Sequence, residues 1–360
     1  MAKIIFRWDL DKTYLKTDFD KVSSLLKTFF QAPEKKETFA GARALLLALM
    51  SVHESKVTFV SGSPRQMRKK LLEKLSLDGI HVDELVLKPN FSNAVRGRFR
   101  ALREQVGYKL PALLRMRFNA ADGSQEICFG DDAEADAFVY CLYDAVIRGE
   151  VSEDETALLM KQAGAYKDQI KDARKWIRRN QEKPVPNPLV RRIFIHLERK
   201  SRPSRFKGFG QRVVAIFNYF QAGLVLYSDD LLTREQVNEL ALNMIQEGEY
   251  DALRLANSFQ DIVRRLHLPL DKMNALCNSS TVESQSLLHQ FWSLCARRLN
   301  QLDKSILSEP LPQDGALDFQ ALIKSGALDR KKKMLGPPDP ALALSWLDPL
   351  LEDDTTQKDL

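Results

Sequence analysis

The sequence predicts an α/β protein with a doubly wound parallel sheet, followed by an all-α region. Over the first 150 residues, short apolar runs alternate with helical patterns, and strands separated by helices imply parallel crossovers. Polar motifs follow directly after three of the predicted strands, where sheets of this kind hold their ligands. From residue 151 onward, long amphipathic helical patterns replace this alternation.

Apolar and β-branched residues dominate five short segments, which are the predicted strands: 4–8, 57–61, 84–87, 112–117 and 125–130. Helical patterns separate or follow these segments near 39–51, 65–75, 93–106 and 133–147. Since parallel strands all point the same way, their carboxyl ends should meet at one edge of the sheet.

Beyond residue 150, Ser152 and Glu155 have the spacing of a capping box at a helix start. Helical patterns follow near 153–163, 166–180, 187–199, 208–226, 233–246, 249–266 and 284–307. These patterns predict three parts: an α/β domain over 1–150, a helical domain over 151–308 that could serve as a lid or docking region, and a loosely ordered, Pro-rich and charged tail over 309–360.

Composition narrows the class of protein. The chain has 360 residues, 44% of them hydrophobic, which is enough for two ordinary domains. The amino terminus has no secretory pattern, so we expect a cytoplasmic protein. Four dispersed cysteines lack metal-ligand or disulfide spacing. Residues 165–212 carry 15 Lys and Arg against 4 Asp and Glu, a balance of +11, which predicts either one basic docking face or a solvated helical surface.

Asp9 and Asp11, in the motif DLDKT, stand two apart immediately after the first predicted strand. Residues i and i+2 leave a strand on the same side, so both carboxylates can face one ligand. This pair suits phosphoryl transfer, in which one carboxylate attacks phosphorus and the other moves protons. Thr13 is placed to orient the transferring group.

Three later segments supply what this chemistry also requires. Ser61 and Gly62 end a second strand, where a hydroxyl and a helix start can bind phosphate oxygens, although Ser61 could also be a plain turn residue. Lys109 can offset the phosphoryl charge; a surface lysine is the rival interpretation, with Lys88 as the substitute.

The motif GDD ends the last predicted strand of the first part. Asp131 and Asp132, with Asp136 in support, form an acidic cluster able to hold Mg²⁺. Either of the first two could instead cap the helix that begins near Ala133. A cation is needed because an anionic nucleophile must approach an anionic phosphate.

In this order, the four motifs resemble those of haloacid-dehalogenase phosphatases. The segments DLDKTYLKTDF, TFVSGSPRQM and FGDDAEADAFVY resemble more specifically the catalytic domain of the Mg²⁺-dependent phosphatidate phosphatases of the fungal actin-patch type and their bacterial relatives. Lys12 departs from that pattern, because those relatives often carry Asp there.

The resemblance implies roles for individual residues. Asp9 would be the nucleophile and a metal ligand, and Asp11 the general acid and base, with its main-chain carbonyl on the metal. Ser61 and Lys109 would bind phosphate. Asp131 or Asp132 would complete the Mg²⁺ site.

The spacing of the motifs leaves no room for a large cap. Ser61 follows Thr13 by 48 residues and precedes Lys109 by 48, so the site should be open. We expect a Mg²⁺-dependent phosphomonoesterase with a phospholipid such as phosphatidate as the leading substrate and peripheral membrane association; nucleic acid is disfavoured. The alternatives are a phosphatase of a soluble metabolite, nucleotide or phosphoprotein, and a non-catalytic scaffold that works through its helical half.

Overall fold

The structure, a computed structural model, describes residues 3–16, 32–88, 101–133, 135–266, 268–278, 286–302 and 316–324. Most of the helix predicted near 93–106 and most of the predicted tail lie outside the described residues.

Six parallel strands form one sheet in the order β3-β2-β1-β4-β5-β6. They are β1 Ile4–Asp9, β2 Ser55–Pro64, β3 Glu84–Lys88, β4 Gln125–Asp131, β5 Val190–His196 and β6 Val213–Ile216. The chain adds strands on one side of β1 and then on the other, so the order reverses between β1 and β4. The predicted doubly wound parallel sheet is therefore confirmed, and its topological switch point lies between these two strands.

Helices cover both faces of this sheet. They are α1 Ala42–Met50, α2 Arg68–Leu77, α3 Ala101–Asn119, α4 Asp136–Ile147, α5 Glu153–Gln162, α6 Lys167–Asn180, α7 Tyr219–Ser228, α8 Arg234–Gln246, α9 Ala252–Leu266, α10 Leu270–Cys277, α11 Leu287–Asn300 and α12 Phe319–Lys324. The Ser152 hydroxyl caps α5 by accepting a hydrogen bond from the Glu155 backbone N–H over 3.2 Å, as its spacing predicts. Among the described residues, no helix combines the length and apolar character needed to cross a membrane.

Alternation along the strands sends side chains into two separate cores. Phe6 and Trp8 of β1 lie in the core shared with α1, α2 and α7 to α11. Cys128 of β4 lies in the other core, with α3 to α6 and α12. Because both faces are covered, β1 is buried throughout and β4 is buried from Glu126 onward, as is typical of parallel sheets.

One predicted strand is wrong. Residues 112–117 belong to α3, which runs through Pro111 without ending. Leu113 and Leu114 in this stretch are fully buried, and a short apolar run of a buried helix cannot be told from a buried strand by periodicity alone. Lys109 is therefore carried by a helix rather than by a loop before a strand.

Two predicted helices are also wrong in part. Residues 187–199 contain β5, and 208–226 contain β6 before α7 begins at Tyr219. Both strands extend the same sheet across the proposed boundary at residue 150, since β5 pairs with β4. The remaining helices of the C-terminal region are confirmed where the structure describes them.

Candidate active site

The site lies at the carboxyl ends of β1 and β4, on the switch point of the sheet. Asp9 is the last residue of β1 and Asp131 the last residue of β4. Asp136 begins α4, so three chain segments each bring one carboxylate to the same place. Crevices at such points are where open α/β sheets bind ligands.

Asp9, Asp131 and Asp136 form a buried acidic cluster in which one carboxylate oxygen of each lies within 4.8 Å of the others. The fit of Asp136 depends on Gly130, because a Cβ added there would lie 2.5 Å from the Cβ of Asp136. Oδ2 of Asp136 also accepts the Asp131 backbone N–H over 3.2 Å. The first residue of the GDD motif, Gly130, must therefore be a glycine for the Asp136 side chain to fit beside it.

Lys109 reaches this cluster from α3 and is fully buried. Its ammonium group lies 2.8 Å from Oδ1 of Asp9 and forms a second ion pair with Asp136. The structure thus brings Lys109 to the acidic cluster, whereas Lys88, the alternative candidate, is the last residue of β3. Lys109 offsets one of the three negative charges of the cluster.

Asp11 lies beside the cluster and is held by two serines. Its Oδ2 accepts hydrogen bonds from the Ser61 hydroxyl over 2.6 Å and from the Ser63 hydroxyl over 2.8 Å. The Ser63 backbone N–H in turn donates to Oγ of Ser61. Gly62 is exposed, and no described atom lies within 4 Å of the position that a Cβ would take.

Thr13 and Lys12 belong to the turn that carries Asp11. The Thr13 hydroxyl donates to Oδ2 of Asp9 over 3.3 Å, so Thr13 contacts the candidate nucleophile. Lys12 is buried and has a φ of 63°, in the left-handed region that residues with a Cβ rarely adopt.

Asp132 does not join the acidic cluster to which its neighbour Asp131 belongs. Its two carboxylate oxygens accept the backbone N–H groups of Arg199 over 2.8 Å and of Ser201 over 3.0 Å. Asp131 is the one that joins the acidic cluster, and its Oδ1 also accepts the Ala133 backbone N–H over 2.6 Å. Asp132 thus fixes the segment that follows β5.

Several residues at the site are absent from the sequence prediction. The Tyr219 hydroxyl donates to the carbonyl oxygen of Thr13, and Nδ1 of His196 lies 3.5 Å from the carbonyl oxygen of Lys12. Burial lowers the pKa of His196 to about 4, so its ring is neutral at pH 7. Only Ser63 had a local signal, its i+2 spacing from Ser61 in SGSP.

Lys36 is a further cation at the site that the sequence motifs do not reveal. It is buried, and burial lowers its pKa while the nearby Asp11 carboxylate opposes that shift. A cation beside Asp11 adds to the positive potential that an incoming phosphate would meet.

Residues 8–152 match the family described as "Phosphatidate phosphatase APP1, catalytic domain". The matched range holds the acidic cluster, Asp11, Ser61 and Lys109, and it ends before β5. None of the curated proteins compared with the chain matches it. The family match supports a phosphatidate phosphatase-like domain, and it implies that the chain is an enzyme, a phosphatase of the hydrolase class.

Proposed function

We propose that this chain is a Mg²⁺-dependent phosphomonoester hydrolase of the haloacid-dehalogenase type that works through an aspartyl-phosphate on Asp9. One observation carries the proposal: Asp9, Asp131 and Asp136 converge with Lys109 at the switch point of the sheet. Asp11, two residues after the nucleophile, stands ready for proton transfer.

The first half of the reaction transfers the phosphoryl group to the protein. A carboxylate oxygen of Asp9 forms a bond to phosphorus while the ester P–O bond breaks, and Asp11 gives its proton to the departing alcohol oxygen. Lys109 and Thr13 hold the Asp9 carboxylate through its two oxygens, so the nucleophile needs little reorientation before attack.

The second half restores the enzyme. Asp11, now a carboxylate, takes a proton from water as the water oxygen attacks phosphorus, and the bond between phosphorus and Asp9 breaks. Inorganic phosphate leaves, and both carboxylates regain their starting states. The hydrogen bonds from Ser61 and Ser63 keep Asp11 oriented for both proton transfers.

The acidic cluster fits a divalent cation of the Mg²⁺ type. Its donors are all carboxylate oxygens, which hard cations prefer, and three buried negative charges are costly unless cations balance them. Asp9, Asp131 and Asp136 would hold the ion. When bound, Mg²⁺ would neutralise charge on the phosphate and so permit attack by an anion.

The mechanism is tested by hydrolysis of p-nitrophenyl phosphate in Mg²⁺. Asp9→Asn should lower kcat by about 10⁶-fold, the order of loss seen when a nucleophile is removed. Asp122→Asn is the matched control, because Asp122 pairs with Lys183 at the surface. Acid-quenched wild-type protein should carry phosphate on Asp9 that hydroxylamine releases. Unchanged hydrolysis by Asp9→Asn would reject the mechanism.

A phospholipid phosphate such as phosphatidate is the substrate class that we propose. The family match is one support. The other is an exposed basic segment directly after β5, which Asp132 fixes next to the site: Arg199, Lys200 and Arg202. Such a segment can approach an anionic bilayer and bring the site to a headgroup.

Vesicles distinguish the lipid from soluble substrates. Replacing Arg199, Lys200 and Arg202 by Gln should weaken hydrolysis of phosphatidate in vesicles while leaving hydrolysis of p-nitrophenyl phosphate unchanged. The control replaces three exposed cations of α6, Lys171, Lys175 and Arg179. Activity confined to nucleotides, sugar phosphates or phosphoproteins would support the soluble alternative, and no activity on any phosphoester would support a scaffold.

A further inference from the structure

The turn that carries Asp11 begins directly after Asp9 and is held by hydrogen bonds within its own backbone. The backbone N–H groups of Tyr14 and Leu15 donate to the carbonyl of Leu10 over 3.0 and 2.9 Å, and that of Lys12 donates to the carbonyl of Leu15 over 2.9 Å. Lys12 lies in this turn with a φ of 63°. A residue with a Cβ holds such a conformation only where its surroundings fix it.

Two side chains from distant parts of the chain contact this turn. The Tyr219 hydroxyl, from the first residue of α7, donates to the carbonyl of Thr13. His196, from the last residue of β5, brings Nδ1 within 3.5 Å of the carbonyl of Lys12. Consecutive carbonyls of the turn are thus each contacted by one ring.

The two rings support each other. His196 and Tyr219 stack with centroids 5.2 Å apart, and Tyr219 also stacks on Trp8 of β1 at 5.6 Å. Phe39 meets His196 edge-on at 4.5 Å. Tyr219 and His196 are buried, so their positions are set by packing.

We propose that Tyr219 and His196 are positioning residues for the hydrolysis reaction, which hold the Lys12 and Thr13 carbonyls and thereby fix Asp9 and Asp11 relative to each other. The inference rests on the proposed function. Both residues lie outside the range 8–152 that matches the phosphatase family, so the working site would extend to α7.

The chemistry of the two groups suits this role. Burial raises the pKa of Tyr219, and the nearby Asp131 and Asp9 carboxylates raise it further, so the phenol keeps the proton that it donates. Reacting groups must be held in line for attack, and a displacement of about 1 Å can cost about 100-fold in rate. We call the contacts of Tyr219 and His196 with the Thr13 and Lys12 carbonyls the clamp. Loss of the clamp should therefore lower kcat more than it changes KM.

Tyr219→Phe tests the clamp in the full-length protein, because it removes the donated hydrogen bond and keeps the ring. With p-nitrophenyl phosphate and Mg²⁺, kcat should fall by at least about tenfold while KM changes by less than about threefold. The matched control is Tyr143→Phe. Tyr143 is equally buried, but its hydroxyl donates to Glu126 over 2.9 Å, five positions along β4 from Asp131, so kcat should stay within twofold.

Amide hydrogen exchange provides a readout that does not depend on activity. The N–H groups of Lys12, Tyr14 and Leu15 should exchange about tenfold faster in Tyr219→Phe than in the wild type, because the turn opens locally. The same amides should be unchanged in Tyr143→Phe. If the wild type hydrolyses nothing, the proposed function is rejected, and this comparison still tests whether Tyr219 holds the turn.

His196→Phe extends the test to the second contact, since it keeps a ring in the stack and removes Nδ1. It should also speed exchange at Lys12 and lower kcat. Wild-type kcat together with wild-type exchange in Tyr219→Phe would overturn the inference, whereas slower turnover with faster exchange confined to the turn would support it.

Discussion

The Ser63 hydroxyl donates a hydrogen bond to Oδ2 of Asp11 over 2.8 Å. The same oxygen accepts the Ser61 hydroxyl over 2.6 Å, so both hydroxyls point at the proposed acid and base. Two hydrogen bonds to one oxygen restrict the rotation of the Asp11 carboxyl group, and they are strongest after this group has given up its proton. Ser61, which the sequence predicts as a phosphate binder, thus donates its hydroxyl to Asp11 in this structure.

Ser63→Ala should lower kcat by about tenfold, because Asp11 loses one of its two orienting donors and proton transfer contributes about 10²- to 10⁴-fold in such reactions. Ser63→Thr, which keeps a hydroxyl, should restore most of the rate. The measurement is steady-state hydrolysis of p-nitrophenyl phosphate. Equal kcat in the wild type and Ser63→Ala would show that Ser61 alone holds Asp11.

Lys109→Met should destabilise the protein as well as inactivate it. The variant removes the cation that contacts Asp9 and Asp136 and leaves buried like charges, so the free energy of unfolding should fall by about 3–5 kcal/mol. Urea unfolding in EDTA measures this loss. In the control Lys183→Met, whose partner Asp122 is at the surface, the change should stay below about 1 kcal/mol.

A second substitution checks the electrostatic cause. Adding Asp136→Asn to Lys109→Met removes one of the stranded charges and should recover part of the lost stability. A double variant that is less stable by the sum of the two single losses would argue against charge repulsion as the cause.

Saturating Mg²⁺ should raise the melting temperature of the wild type. At about 100 times its dissociation constant, a ligand that binds only the folded state adds about 2.7 kcal/mol. Asp131→Asn should lose most of this gain, because Asp131 belongs to the acidic cluster. Asp132→Asn should keep it, because that side chain binds the backbone at Arg199 and Ser201. The reverse pattern would assign the ion to Asp132.

His196 should make the fold sensitive to acid. Its pKa is lowered by burial from 6.5 to about 4, so the unfolded chain takes up this proton at a higher pH than the folded protein. Stability is therefore lost as the pH falls from about 6.5 to about 4, by up to about 3 kcal/mol from this group, at 1.36 kcal/mol per unit.

Urea unfolding of the wild type and His196→Phe at several pH values, in EDTA, isolates this contribution, since other titrating groups cancel in the difference. The wild type should lose more stability than the variant between pH 6.5 and 4. Parallel curves would mean that His196 is not protonated preferentially in the unfolded chain.

Asp9 and Asp131 could be predicted from the sequence because each stands at a strand end. Asp9 and Asp131 follow apolar runs that the structure confirms as β1 and β4, and the switch-point rule then places them together. Lys109 reaches the acidic cluster although the element that carries it is a helix and not the predicted loop before a strand. The order of the motifs was enough to identify Lys109 as a candidate, because its side chain reaches the cluster from α3 as it could have from a loop.

The roles of Tyr219 and His196 could not be predicted from the sequence, for a physical reason. Tyr219 contacts Thr13 across 206 positions of sequence and His196 contacts Lys12 across 184. No local pattern encodes such a contact. The strand that carries His196 was also misinterpreted as a helix, because its short apolar run gives no periodicity that separates the two.

The pairing of β4 with β5 limits how the chain can be shortened. A fragment that stopped at residue 152 would retain β4 without its neighbour, leaving a row of backbone N–H and C=O groups open along an apolar edge that includes Ile127 and Phe129. Exposed edges of this kind recruit strands from other molecules. The fragment should aggregate during expression, whereas one that continues through α7 keeps β4 in the interior of the sheet.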